Sequence, residues 1–506
     1  MSVLAQSTFQ PPDVEWWALS PLIALVGGAL VLLLVGALTP RWPRGLYALV
    51  TSLATIVAGV FAVVQWRNVG DDGPSLLVGD ALAFDRFSLF LTITICAATL
   101  LVALVSADEL HRAGRDGPEV YALYLVAATG GIVMGQANDL ILLFLGLETL
   151  SLSLYVLAST DRERTTSQEA GLKYFVLGGL ASAFFLYGIA LIYGGARSTN
   201  ISRIISTFQG EVAAEGNDTL VLAGVALLLV GLGFKTASVP FHVWTPDVYQ
   251  GSPTDVTGFM ASVGKAAAFA AMVRVIVFAL PFHRDDWRPV IWVLAVLSLV
   301  VGGGLAVVQT DVKRMLAYSS ISHAGFILVG IEAAGHTAGD YGALGDGVPA
   351  VLVYLIAYSV LTIGSFAVVS IVGRANGGDT SLDAFSGFAK RRPAVAVAFT
   401  VFLLAQAGVP LTSGFVAKWG VIQAAVAEQS YAIGIIAMVA AVIAAFLYLR
   451  IMVSMWLHDS PDGMSTEKVP VYTGLSVALA AAFTVAIGVW PNWLLDLADK
   501  TTLYAR

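Results

Sequence analysis

The chain has 506 residues, of which 58% are hydrophobic and only 12% are charged. Soluble domains are about 45–50% apolar and about 25% charged, so this composition excludes a soluble enzyme and a disordered chain and predicts a protein of the lipid bilayer. The net charge of −7 argues against a nucleic-acid partner, and the single cysteine, Cys96, excludes an intramolecular disulfide or a four-cysteine metal or iron–sulfur site within this chain.

Apolar runs long enough to cross a bilayer recur along the whole sequence. A membrane helix needs about 20 apolar residues, and the first such run follows a segment without Lys or Arg, which predicts a membrane span and not a cleavable signal. The connections are short, so no extramembrane domain is expected. Fourteen spans are predicted, near 16–38, 46–65, 84–105, 119–137, 139–158, 169–194, 219–247, 254–280, 289–309, 312–331, 348–373, 394–427, 431–457 and 470–491.

The distribution of basic residues orients these spans. If the N-terminus lies outside, the inner loops hold 13 Lys and Arg and the outer segments hold 7. Basic residues concentrate in cytoplasmic loops, so an outer N-terminus is favoured. An even number of spans then places both termini on the outer side.

Seven basic residues fall inside or at the edges of the predicted spans: Arg86, Lys173, Lys235, Lys265, Arg274, Lys418 and Arg450. Those near span ends are expected to extend their charged groups to the membrane interface; they are Arg86, Lys173, Arg274 and Arg450. Lys235, Lys265 and Lys418 lie near mid-span, where a lysine costs at least about 2.5–3.5 kcal/mol. The alternative is a set of buried ion pairs that lock helices together, which the scarcity of deep acids disfavours.

Other polar residues share helix faces with these lysines. Glu148 is the only carboxylate expected deep within a span, and Ser151 and Tyr155 follow it on the same face. Further sets are Lys235, Ser238 and His242; Ser262 and Lys265; Ser319, Ser322 and His323; Tyr354, Tyr358, Thr362 and Ser365; and Gln406, Ser413 and Lys418. Single polar residues often serve only to join helices, but five such sets favour a hydrated path through the protein.

Two spans contain a proline beside a buried lysine. Pro240 interrupts the seventh span and Pro410 the twelfth, and a proline opens a helix by removing a backbone hydrogen bond. Broken helices at corresponding positions of two halves mark the ion site of many transporters, although each proline could also be a simple kink. The spacing predicts two inverted five-helix repeats (spans 4–8 and 9–13), at 119–280 and 289–457, after three helices in 1–118 and before a last helix and tail in 470–506.

No cofactor or metal site is expected in the chain. Residues 258–266 superficially resemble a phosphate-binding loop, but the glycine spacing is wrong and Ala266 replaces the Ser or Thr. Only His242 and His323 lie within spans, which is too few for the two-haem pattern of a membrane cytochrome.

Four stretches carry a family resemblance: LETL at 147–150, GFKTASVPFHVWTPDVY at 233–249 continuing to Lys265, DVKRMLAYSSISHAG at 311–325 and GVPLTSGFVAK at 408–418. With them, the chain resembles the antiporter-like subunits of proton-pumping NADH–quinone oxidoreductase (respiratory complex I), which are related to subunits of multi-subunit Na⁺/H⁺ antiporters. The end shortly after the last span disfavours the L type, which has a long C-terminal extension with a lateral helix. Lysine at position 418 favours the N type over the M type, which has glutamate there. The M type and an antiporter subunit are the alternatives.

The resemblance implies a function and a set of residues. It implies a non-redox subunit of a translocase in a bacterial inner membrane, with FMN, iron–sulfur clusters, NADH and quinone in the partner subunits of the membrane and peripheral arms. The family's proton-translocating groups correspond to Glu148, Lys235, Lys265, His323 and Lys418. The polar residues expected to support the path are His242, Ser262, Ser319, Tyr358 and Thr362.

Overall fold

A computed structural model describes residues 14–39, 42–43, 45–209, 217–339, 345–459, 468–501 and 503. Segments 1–13 and 504–506 of the predicted terminal regions therefore lie outside the described residues. The helices are α1 (Ser20–Leu38), α2 (Leu46–Asp72), α3 (Arg86–Arg112), α4 (Pro118–Gln136), α5 (Leu140–Ala158), α6 (Thr165–Ala196), α7 (Ile201–Gln209), α8 (Asp218–Thr236), α9 (Thr245–Gly251), α10 (Thr254–Phe259), α11 (Lys265–Met272), α12 (Arg284–Val307), α13 (Val312–His336), α14 (Gly347–Ala375), α15 (Phe388–Arg391), α16 (Pro393–Ala407), α17 (Ser413–Ala427), α18 (Tyr431–Leu457), α19 (Val471–Val489) and α20 (Asn492–Asp499). Strands β1 (Ser75–Leu77) and β2 (Leu82–Phe84) form one antiparallel hairpin.

The prediction of an all-α membrane protein is confirmed. By length and composition, thirteen helices in the described part of the chain can cross a membrane, and each matches a predicted span. The remaining predicted span, 394–427, is the pair of short helices α16 and α17. The division into two inverted repeats stays a prediction.

The helices at the centre of the bundle are those that carry Lys265, His323 and the Tyr354–Tyr358 set. The apolar stretches of α13 and α14 are fully buried, and that of the segment Thr254–Ala279 is 94% buried, whereas α1 is only 22% buried. Because other helices cover the central helices, their polar residues face protein. This placement makes buried polar groups tolerable in the membrane.

The central segment Thr254–Ala279 is not a uniform α-helix. It alternates α10, a π-helical turn at Met260–Gly264, α11 and a second π-helical stretch at Val273–Ala279. Such π turns are frequent at functional sites. Lys265 is the first residue after the first π turn.

Both predicted helix breaks are present. Helix α8 ends at Thr236 and turns through residues 237–244, which include Pro240, before α9. Helix α16 ends at Ala407 and turns through residues 408–412, which include Pro410, before α17. Left-handed residues follow both helix ends, Ala237 with φ 59° and Gly408 with φ 90°, which is the usual way to end a helix sharply.

One expectation about the basic residues is wrong. Arg274 does not reach the membrane interface: its side chain is fully buried and paired with Asp85, which is also fully buried. The expectation failed because a position near a span end is exposed only where no other element covers it, and here the ends of α3 and α4 do. For the same reason, carboxylates at or near the ends of spans are buried; they are Asp85, Asp108, Asp255 and Glu332.

Candidate functional site

Three lysines lie inside the bundle with almost no exposure: Lys235 at 6%, Lys265 at 2% and Lys418 at 5%. Within the described residues, the ion pairs of the protein involve none of them. Their partners are hydroxyls, backbone carbonyls and aromatic rings. The structure therefore argues against the alternative that these lysines lock helices together by ion pairs.

Lys235 lies in the last turn of α8, directly before the predicted break, because Ala237 ends the helix. Its Nζ donates to Ser151 Oγ at 2.7 Å and to Tyr174 Oη at 3.3 Å. The ammonium also lies 5.7 Å from the centre of the Tyr155 ring, within cation–π range. Ser151 and Tyr155 were predicted to face this site, whereas Tyr174 of α6 was not.

Glu148 lies one helical turn before Ser151 on α5 and is half-buried. Its Oε1 accepts a hydrogen bond from Ser182 Oγ. Among the described residues it makes no direct ion pair with Lys235. Ser151, on the same face of α5 as Glu148, contacts Lys235 and carries a hydroxyl that can both donate and accept a proton.

Lys265 points from the central segment to α13. Its Nζ donates to both the carbonyl and the hydroxyl oxygen of Ser320, each at 2.6 Å. Tyr358 Oη of α14 donates to the same Ser320 hydroxyl at 2.8 Å, and its ring centre is 5.7 Å from Nζ. Ser320 was missed by the sequence analysis, which placed Ser319 and Ser322 on the face of interest.

His323 is three residues further along α13 and is also buried. Its ring centre lies 5.0 Å from that of Tyr358. Nδ1 is 2.6 Å from Tyr354 Oη, and Nε2 is 3.3 Å from Tyr448 Oη. Tyr448 of α18 was not predicted, because nothing in its own helix marks it as polar-facing.

Lys418 occupies the second turn of α17, after the break. Its Nζ donates to the carbonyl oxygens of Gln406 at 2.7 Å and Ala407 at 3.2 Å, the last residues of α16. A cation is favoured there because the carbonyls at a helix C-terminus lack intrahelical partners. A Cβ at Gly414 would overlap the carbonyl oxygen of Ala405, so only glycine allows α17 to begin this close to α16.

Side chains connect His323 to the region of Lys418. Ser319 Oγ lies 2.6 Å from the same Tyr448 hydroxyl that contacts His323. Ser319 also lies 3.4 Å from the side chain of Gln406, whose backbone carbonyl holds Lys418. Lys265, Tyr358, His323 and Lys418 are thus linked by contacts through hydroxyl, imidazole and amide groups.

The remaining predicted residues are less closely involved. Ser262 Oγ donates back to the carbonyl of Gly258 in its own helix and contacts none of the lysines. Thr362 is buried and lies one turn after Tyr358 on α14. His242 lies half-buried in the turn after Lys235, and its Nδ1 has no hydrogen-bond partner in the described structure.

The fold and the buried basic groups define a membrane protein of the proton-antiporter type. The family model described as "NADH:quinone oxidoreductase/Mrp antiporter, TM" matches residues 137–444. The chain belongs to this family, and the resemblance found in the sequence is confirmed.

Several relatives match over nearly the whole chain. NADH-quinone oxidoreductase subunit N of Rhodococcus opacus is 40% identical, with 100% of this chain and 99% of that protein covered. Subunit N 3 of Streptomyces griseus is 39% identical, with 99% and 96% covered.

Solved structures of related membrane complexes have the same fold. A chain of respiratory complex I from Thermus thermophilus with bound aureothin superimposes with a TM-score of 0.78 at 33% identity, with 95% of this chain and 99% of that chain covered. A chain of the Mrp complex from Dietzia sp. superimposes with a TM-score of 0.83 at 22% identity, with 96% and 97% covered; this likeness shows a common fold alone.

Proposed function

We propose that this chain is a proton-translocating, N-type membrane-arm subunit of a bacterial NADH–quinone oxidoreductase. The full-length similarity to the subunits N of Rhodococcus and Streptomyces supports this assignment. The other membrane-arm and peripheral-arm subunits are its partners. They hold FMN, the iron–sulfur clusters, NADH and quinone, and their electron transfer supplies the energy. The chain spans the inner membrane, with both termini on the outer side.

The observation that carries the proposal is the line of buried lysines held by neutral groups. A lysine ammonium in a low-dielectric interior loses hydration, and without a carboxylate partner it can release its proton more readily. The hydroxyls and imidazole beside Lys265 and Lys418 can accept and donate protons in turn. Together these features suit proton transfer better than a structural role.

Helix packing requires water to complete the path. Packed helices are 8–10 Å apart, so lysines on different helices cannot exchange protons directly. The contacts from Ser320 through Tyr448 to Gln406 supply the polar walls along which water can order. A carboxylate near a lysine favours the protonated ammonium, so we propose that a change in the separation of Glu148 and Lys235 moves a proton onward.

We further propose that residues 119–280 and 289–457 are two inverted repeats. The support is the likeness of the two breaks: each first half-helix ends with a left-handed residue and is followed by a proline-containing turn. At the first break, the buried Lys235 lies in the last turn of α8. At the second break, the buried Lys418 donates to the carbonyl of Gln406 near the end of α16.

The test is NADH-driven proton pumping by the whole complex in vesicles. Lys235→Ala and Glu148→Ala are expected to abolish or greatly reduce the number of protons moved per NADH oxidised. Lys173→Ala is the matched control, because Lys173 is an exposed lysine of α6 that only pairs with Glu169 and Asp247. It should pump as the wild type does.

Two outcomes would overturn the proposal. Normal pumping by both variants in an assembled complex would remove these residues from proton transfer. Purification of the chain without flavin or iron–sulfur proteins, together with sodium-dependent proton exchange, would instead identify a subunit of a Na⁺/H⁺ antiporter.

A further inference from the structure

A polar cavity of about 530 Å³ opens on the face of the protein that carries the basic loops. We call it the vestibule. It lies where α3 and α14 end and where α10 and α13 begin, and Glu109, Asp255 and Lys313 line it. Asp255 and Lys313 are buried and Glu109 is half-buried, and none of them takes part in the lysine site described above.

Asp255 is held by neutral hydroxyls and not by an ion pair. Its Oδ2 accepts hydrogen bonds from Ser106 Oγ at 2.7 Å and from Tyr124 Oη at 3.1 Å. Glu109 is similar, because its Oε1 accepts from Ser370 Oγ at 2.6 Å. Lys313 Nζ donates to the carbonyl oxygen of Ser252 and not to either carboxylate.

One helical segment leads from the vestibule to Lys265. Asp255 and Lys265 are ten residues apart on this segment, which is about 15 Å along its axis. Ser320 of α13 holds Lys265 at the inner end of this distance.

Helix α13 also connects the vestibule with the site of Lys265. Lys313 and Ser320 are seven residues apart, so they lie on one face of α13, separated by about 10 Å. The wall of the vestibule is therefore two helical turns from the partner of Lys265. Water can cover that distance between polar groups.

We propose that the vestibule is the proton-uptake site of this subunit and that Asp255 loads protons from it toward Lys265. This inference rests on the proposed function, since it supplies protons to the same lysine site. The face of the vestibule carries Arg112, Arg115, Arg164 and Arg374, and such basic loops belong on the cytoplasmic side. Protons are thus taken up from the cytoplasm.

The step conserves charge and atoms. A hydronium ion in the vestibule gives a proton to the Asp255 carboxylate and becomes water. The carboxylic acid then gives that proton to water on its inner side and returns to carboxylate. The proton ends on the Nζ of a neutral Lys265, which becomes an ammonium group.

Charged and titratable groups surround Asp255 on every neighbouring element. Glu109 and Arg112 lie on α3, Tyr121 and Tyr124 on α4, Lys313 on α13 and Arg374 on α14. The basic residues attract anions and not protons, so the carboxylates of the vestibule are the groups that can take up a proton there.

The test compares carboxylate variants in the assembled complex. Asp255→Asn keeps the shape of the side chain but cannot carry a proton, so most of the proton uptake per NADH should be lost. Asp255→Glu should retain uptake. Asp459→Asn is the matched control, because Asp459 is an exposed carboxylate outside the vestibule that pairs with Lys390, and it should behave as the wild type. A carboxylic-acid infrared band that disappears in Asp255→Asn would identify the loaded group directly.

The result that overturns the proposal is wild-type uptake by Asp255→Asn at every pH. If Asp255→Asn does not assemble, Ser106→Ala decides the question. It removes one hydrogen-bond donor to the carboxylate, so the pH profile of proton uptake should change, and an unchanged pH profile would also overturn the proposal. Lys265→Ala separates the two hypotheses: if it stops pumping while Asp255→Asn does not, only the uptake site is wrong, and if both pump normally, the proposed function is wrong.

Discussion

The guanidinium of Arg274 and the carboxylate of Asp85 form an ion pair that is fully buried, with Nη1 2.7 Å from Oδ2 and Nη2 3.1 Å from Oδ1. Arg274 also donates from Nε and Nη2 to the carbonyl oxygen of Gly135 at the end of α4. Asp85 in turn caps the first turn of α3 through Ser88. The pair therefore fixes one end of the helical segment that carries Lys265 to two neighbouring helices.

Removal of one partner of this pair should strongly destabilise the subunit. Arg274→Ala leaves a buried carboxylate without its counter-charge, and such changes typically cost about 3–5 kcal/mol. The expected result is a marked loss of assembled complex on native gels and a lower temperature of thermal dissociation.

The control for this prediction is the exposed ion pair of Lys390 and Asp459. The hydrogen bond from Lys390 lowers the pKa of Asp459, but water solvates both charges. Lys390→Ala should therefore leave the dissociation temperature unchanged. Equal stability of Arg274→Ala and the wild type would show that the buried pair does not anchor the helix.

The sequence identified the groups whose chemistry is unusual for a membrane and missed those whose role depends on packing. Lys265 stood out because a mid-span lysine is costly. Arg274 did not, because burial at a span end depends on what covers it. Nothing in the sequence marks Ser320 or Tyr448 as a site residue. The rotation of α13 and α18 about their axes decides which hydroxyl contacts Lys265 or His323, and that rotation is set by packing.

Lys265→Arg should be poorly tolerated. Arginine keeps the positive charge but cannot release its proton in a protein, and the longer side chain must fit a site where Nζ lies 2.6 Å from two oxygens of Ser320. Proton pumping per NADH should fall strongly in an assembled complex. Full pumping by this variant would mean that Lys265 acts as a fixed charge and not as a proton carrier.

Ser320 and Tyr358 should show coupled effects on pumping. Both Lys265 Nζ and Tyr358 Oη donate to the Ser320 hydroxyl. Ser320→Ala removes the acceptor of both hydrogen bonds, and Tyr358→Phe removes the second donor. Pumping rates of the two single variants and the double variant form a double-mutant cycle. The double variant is expected to lose less than the two single losses combined.

The control for this cycle is Ser262→Ala. The Ser262 hydroxyl bonds only within its own helix, although the residue lies three positions from Lys265. Its removal should leave pumping nearly unchanged. Additive losses for Ser320 and Tyr358, or a large loss for Ser262, would contradict the assignment of Ser320 as the partner of Lys265.

Lys418 is the candidate for the group that releases protons to the outer side. Its Nζ donates to the carbonyls of Gln406 and Ala407, and it lies 4.6 Å from the centre of the Phe326 ring. Lys418→Ala removes the only proton carrier at this break among the described residues, so proton release should stop while NADH oxidation continues slowly.

Lys418→Glu should retain part of the activity, and more of it at lower pH. A protonated glutamate can donate one hydrogen bond to the carbonyls that end α16, whereas an ionised one faces their negative ends and is repelled. The measurement is proton release per NADH in vesicles as a function of pH for the wild type, Lys418→Ala and Lys418→Glu. Lys390→Ala, an exposed lysine on a basic loop, is the control and should match the wild type. Equal proton release by the wild type and Lys418→Ala would remove Lys418 from the path, because a required carrier cannot be deleted without loss.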